Sequence, residues 1–162
     1  MKKLSVLLIL LVGQSIHTMD QAGPADVQSN QELQDALFRA IKAAELDEEL
    51  IRDIAQQLGT LDIYDGMFSP IGYAVEIDNV PLAQLLLSLG ANPNEYSGPE
   101  DETLLMIAIE NQSPEMFKTL LHYGADADIP AIASDQTARS FAIGEDFRGN
   151  PEFVEALKKY MR

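Results

Sequence analysis

The side chains that could do chemistry fall in one short stretch. Glu100, Asp101 and Glu102 form an acid run close to Tyr96. Asp126 and Asp128 flank Ala127 in the spacing of a metal-ligand pair, with His122 just upstream. Ile129 and Ile132 follow in a segment with no apolar period. The acid run could meet a basic partner or hold a loose Ca²⁺. It lacks the spaced oxygen set of a dedicated calcium loop, so solvated charge is the simpler reading. The position equivalent to Asp126-x-Asp128 one period earlier is Asn92-x-Asn94, which carries no charge. Asn and Asp alike bond the backbone of a turn, so turn-making is favoured over metal binding. His122 would need partners in a pocket to act in a triad or a metal site, and its place in the repeat puts it on a solvent-facing helix surface. There is no Gly-rich phosphate loop, nucleophile elbow or H-E-x-x-H. No metal, cofactor or catalytic residue is expected.

Composition narrows the classes further. The chain of 162 residues has 11 Lys plus Arg against 26 Asp plus Glu, a formal net charge of −15, and no Cys. The missing Cys excludes a disulfide scaffold, thiolate catalysis and Cys-held zinc or iron–sulfur clusters. The charge opposes binding to nucleic acid and to anionic membrane surfaces, because phosphate would be repelled. It suits solubility or a basic protein partner.

The first residues read as an address. Met1 to Lys3 are basic, Leu4 to Val12 are apolar apart from Ser5, and polar and small residues dominate from Gly13 to Thr18. That order is the secretory signal pattern, and the apolar run is far short of the roughly 20 residues that span a bilayer. Export to a periplasmic or extracellular place is expected, with no stable membrane insertion after cleavage between residues 16 and 20. Loss of Lys2 and Lys3 leaves 9 basic against 26 acidic residues, or −17. Asp20 to Gln31 carries Gly23 and Pro24 without an apolar period and reads as a flexible linker.

The remainder repeats at a shift of 34 residues. Ser69 to Asn94 aligns with Thr103 to Asp128, so that Ala74 meets Ala108, Leu86 and Leu87 meet Leu120 and Leu121, and Gly90 and Ala91 meet Gly124 and Ala125. Weaker copies lie on both sides, at Leu37 to Gly59 and at Thr137 to Tyr160. Each unit predicts an inner helix with a small Ala (Pro70 to Ile77; Leu104 to Ile109), then an outer helix. The outer helices are capped by Asn79, Ser113 and Asn150, with Pro81, Pro114 and Pro151 in their first turns. Leu82, Leu85, Leu86 and Leu89 share one outer-helix face, as do Met116, Phe117, Leu120 and Tyr123. Gly90 and Gly124 stand where a left-handed residue ends a helix. Glu45, Asp47, Glu48 and Glu49 mark another helix start.

The closes LLSLGANPN (Leu86 to Asn94) and LLHYGADAD (Leu120 to Asp128) resemble the L-L-x-x-G-A-[DN]-x-[ND] close of the ankyrin repeat. The family's T-P-L-H-x-A opening is degraded to SPIGYA and TLLMIA, with Gly72 or Met106 where the His stands. A 34-residue period also fits tetratricopeptide repeats, which the Gly-Ala closes and long loops disfavour. The resemblance implies an all-α solenoid of stacked antiparallel helix pairs with projecting hairpin-like loops. The expected organisation is a signal peptide over 1–18, a linker over 19–30, a degenerate capping repeat over 31–66, repeats over 67–100 and 101–134, and a second degenerate cap over 135–162. It also implies protein binding through loop tips and the concave helix face, by a monomer. The loop residues Tyr96, Glu100, Asp101, Glu102, Ile129 and Ile132 are the expected contacts, with Tyr96 as an exposed anchor rimmed by acids. The two Ile either form an interaction patch or fold back onto the neighbouring loop. The rival reading is a carboxylate-dependent hydrolase of glycosidase type, which needs two carboxyl groups in one deep cleft.

Overall fold

The computed structural model describes residues 24–99, 101–144 and 150–160. The signal segment over 1–18 and Glu100 of the expected loop site lie outside them. Helices dominate: α1 (Pro24–Ile41), α2 (Glu48–Leu58), α3 (Pro70–Glu76), α4 (Val80–Ser88), α5 (Leu104–Glu110), α6 (Pro114–His122), α7 (Ala138–Ile143) and α8 (Pro151–Tyr160). Two short antiparallel strands, β1 (Tyr96–Ser97) and β2 (Glu102–Thr103), join the middle units.

The helices pack as four antiparallel hairpins, α1–α2, α3–α4, α5–α6 and α7–α8. Inner helices α3, α5 and α7 stack on one another, and outer helices α4, α6 and α8 form a second row. This is the all-α solenoid of stacked antiparallel helix pairs that the resemblance implies. Small side chains set the inner spacing, since Ala74 and Ala108 are wholly buried where the helices approach. Asn111 stitches the inner row by donating its side-chain amide to the Val75 carbonyl at 3.1 Å.

Local chemistry fixes the ends. Asn79 accepts from Leu82 N–H at 3.1 Å and Ser113 from Met116 N–H at 3.3 Å, each capping an outer helix. Asp47 does the same for α2 with Leu50 N–H at 3.1 Å. Gly90 and Gly124 have φ of 95° and 91°, a conformation that any Cβ would strain. The core runs along the whole stack. Phe117 and Phe153 meet edge-on with ring centroids 5.1 Å apart, and Leu82, Leu86, Met116 and Leu120 are fully buried.

Two expectations change. The linker placed over 19–30 is helical from Pro24. No Gly or Pro follows Pro24 before α1 ends, so the helix held at Leu37 and Ile41 extends N-terminally without a breaker. Tyr123, expected on the buried face, is 38% exposed. It is the C-cap of α6, where the chain leaves the helical path, and it packs on His122 at 5.4 Å between ring centroids.

Candidate functional site

Three hairpin-like loops leave the inner-helix side in succession. The first turns at Gly66, whose φ of 69° suits glycine, with Asp65 and Phe68 bridged across it. The second is β1–β2, with Tyr96 opposite Thr103 and Ser97 opposite Glu102. The third is closed by a bridge between Pro130 and Thr137. Neighbouring loops are tied together. Ile132 N–H donates to the Asp101 carbonyl at 3.2 Å. Asn94 accepts from Asp126 N–H at 2.7 Å and donates to the Gly124 carbonyl at 3.3 Å.

Tyr96 is not the exposed anchor expected of it. It is half-buried, and its hydroxyl donates to the Pro130 carbonyl at 3.1 Å. Its position in β1 carries the ring across to the next loop, where it serves as a strut. Asp101 is exposed at the turn with φ of 50°, and Glu102 is half-buried in β2. The two isoleucines separate: Ile129 is half-buried, whereas Ile132 is 64% exposed at the third tip. Tyr96, Asp101 and Ile132 are brought together by the loop-to-loop bonds, Tyr96 to Pro130 and Ile132 to Asp101.

The paired Asx residues are turn-makers. Asn92 accepts from Asn94 N–H at 3.0 Å and Asp126 from Asp128 N–H at 2.9 Å, the same bond with and without charge. Asp128 is ion-paired with Arg139, whose side-chain bonds hold the carboxyl below its usual range. Among the described residues no group of three or more His, Asp or Glu is arranged to hold a metal ion. No helix among them is long and apolar enough to cross a membrane. His122 is exposed on the outer row, with Tyr123 and Tyr160 as ring neighbours.

Sequence reasoning missed the first loop and the cleft behind it. Tyr64 and Met67 are 53% and 56% exposed, beside an Asp65-Gly66 pair that is itself a hairpin signal. Glu95, one residue before Tyr96, is only 9% exposed. Burial first, and then the Asp62 charge, push its carboxyl up to about 7, against the lowering effect of bonds from Ser69 and Gly72. Glu95 and Asp62 line one open cleft of about 480 Å³. The sequence places Glu95 among the acids of the second loop; its burial beside Asp62 is not legible there, since the equivalent position in the next unit is Ile129.

The comparisons agree with this architecture. The pattern described as ankyrin repeats (3 copies) matches residues 37–131 and 71–161. The chain is 32% identical over 119 residues to the BTB/POZ domain and ankyrin repeat-containing protein BOP of Lupinus luteus, covering 72% of this chain and 24% of that protein. It is 37% identical over 89 residues to the BTB/POZ domain and ankyrin repeat-containing protein NH5.1 of Oryza sativa subsp. japonica, covering 54% of this chain and 17% of that one. The chain thus spans about a quarter or less of these relatives. Ankyrin repeats imply a protein–protein interaction module, and with that pattern matched from residue 37 to residue 161 this chain belongs to the ankyrin-repeat family.

Proposed function

We propose that this is an exported, non-enzymatic, monomeric ankyrin-repeat protein that binds a protein partner with a basic component through its hairpin tips. One observation carries the reading. Segments 59–69, 92–103 and 126–137, which form the three loops, contain no Lys or Arg. They display exposed acids at Asp62, Asp101 and Asp135, with Asp65 paired to Lys42, around exposed apolar side chains at Tyr64, Met67 and Ile132. Apolar anchors rimmed by one sign of charge favour a partner of the opposite sign and speed its approach. The order of basic, apolar and small residues over 1–18 supports export.

The test is affinity capture from the native compartment with the full mature chain, read by mass spectrometry. A variant carrying charge reversals at Glu100, Asp101 and Glu102 with Ile132→Ala should lose at least about tenfold of a specific partner. Capture unchanged by those substitutions rejects the placement. N-terminal sequencing of the native protein should begin between residues 16 and 20, and an intact Met1 would remove the export claim.

A second reading has one observation behind it: Asp62 and Glu95 are two carboxyl groups in one cleft. A hydrolase of glycosidase type would use such a pair. The cleft is open, and one oxygen of Glu95 is taken by the Ser69 hydroxyl, which is why binding is preferred. Glycoside hydrolysis abolished by Glu95→Gln would reverse that preference.

A further inference from the structure

The first helical hairpin does not close fully on the rest of the stack. Outer helices α4 and α6 pack closely, as do α6 and α8, whereas α2 and α4 scarcely touch and the cap is held through α1 against α3. The gap is the cleft of about 480 Å³, within the range of small-ligand sites. Gln56 and Gly59 at the end of α2, Asp62 and Tyr64 in the following segment, and Gly90 and Glu95 after α4 line it.

The charged side chains of that wall are both acidic, Asp62 and Glu95. The C-terminal ends of α2 and α4, at Gly59 and at Leu89 and Gly90, line the cleft, and each helix end bears a fraction of a negative charge. Neither α2 nor α4 has a basic residue in its last turn to offset it. Asp62 is exposed and Glu95 is nine-tenths buried, and both line the cleft. Among the described residues no Lys, Arg or His lines the space. The Tyr64 phenol is held above its usual range by partial burial and then by the Glu95 and Asp62 charges, so all three groups sense one another. Its ring is more than half exposed and offers a face to a cation.

We propose that this cleft receives one cationic side chain, arginine or lysine, from the protein partner. Asp62 and Glu95 flank the charge, the two helix ends face it, and the Tyr64 ring lies against its stem. A planar guanidinium, with several donors in a fixed fork, suits two carboxyl groups set among backbone carbonyls. The space is too large, and the carboxyl groups too few, for a dedicated divalent-ion cage. The proposal rests on the reading of the chain as a protein-binding module and gives that module a specific anchor point at the base of the first hairpin, shared with Asp62 and Tyr64 of that loop.

The experiment is a nuclear magnetic resonance titration of the mature chain with N-acetyl-arginine amide, with N-acetyl-citrulline amide as neutral control and Ca²⁺ alone as a third arm. The arginine derivative should shift the Gln56 and Gly90 amides and the Glu95 side-chain carbon, while the citrulline derivative should not. Binding should weaken by up to about tenfold from pH 8 to pH 6, as Glu95 takes up a proton beside Asp62. Asp62→Asn, a surface change, should weaken it at least about fivefold with the melting temperature not lowered, since the charge removed opposes ionised Glu95. Equal shifts from citrulline, the same shifts from Ca²⁺ without arginine binding, or affinity indifferent to both Asp62→Asn and Glu95→Gln would overturn the proposal. Arginine binding that persists while partner capture ignores the hairpin substitutions would sink only the functional reading and leave the cleft assignment supported.

Discussion

The Ser69 hydroxyl joins two turns of the chain: it accepts from Gly72 N–H at 3.0 Å and donates to Glu95, 26 residues further on. One oxygen thereby caps helix α3 and tethers the start of the second hairpin to it. The tether places a carboxyl where water scarcely reaches. Burial of a charged form is costly unless it is paired, and Glu95 has Asp62 rather than a base beside it.

Stability should therefore depend on pH in an unusual direction. In the unfolded chain Glu95 titrates near its ordinary 4.5, and in the folded chain at about 7. Between those values the unfolded state is more ionised and binds fewer protons, so stability falls as pH rises through the window and levels above it. The loss by pH 8 should be on the order of 1–3 kcal/mol. Glu95→Gln keeps an acceptor for Ser69 and removes the charge. Urea melts of both proteins at pH 5 and pH 8 should show the variant losing less stability between them; parallel losses would refute the assignment.

Gly72 tolerates no side chain as the loop now stands. A Cβ there would lie 2.3 Å from Ser97 Oγ and 3.0 Å from Ser97 Cβ. Gly72→Ala should destabilise by about 1–3 kcal/mol through this clash. Ser97→Gly in the same chain should recover most of that, and Ser97→Ala less. Denaturant midpoints for these proteins and the two Ser97 single variants measure it, and additive effects would contradict the contact.

Asp126 should be replaceable by Asn with a change within about 0.5 kcal/mol, because Asn92 performs the same turn bond uncharged. Added Ca²⁺ should leave the melting temperature of both proteins unmoved. A calcium-dependent rise lost in Asp126→Asn would restore the metal reading.

Tyr96→Phe removes one hydroxyl whose bond crosses from the second loop to Pro130. The expected cost is about 0.5–1.5 kcal/mol. Hydrogen exchange should quicken at Ile132, whose N–H is bound to Asp101 across the same two loops. Unchanged exchange there would mean that the strut does not couple them.

The repeats were legible because their signals are local. Ala74 and Ala108, the caps Asn79 and Ser113, and Gly90 and Gly124 each do what their type dictates within a few residues. The N-terminal reach of α1 was hidden, since the polar stretch before Leu33 has no apolar period and its helix is propagated from packing further on. The loop site was half legible. Asp101 and Ile132 are exposed at tips, but the ring of Tyr96 turns inward to a carbonyl 34 positions away. The Glu95 cleft left no trace in the sequence, because it arises where two helices distant in the chain fail to meet.

That failure to meet has a mechanical consequence. A stack whose members touch only their neighbours is a row of coupled links, and its first break comes at the weakest coupling. Here that link is the junction of α2 with α4, so α1 and α2 should open as a unit before the three hairpins behind them. A bound cationic side chain spanning the cleft would act as a clasp on that link, and occupancy by the partner would be felt first as slower opening of the N-terminal end.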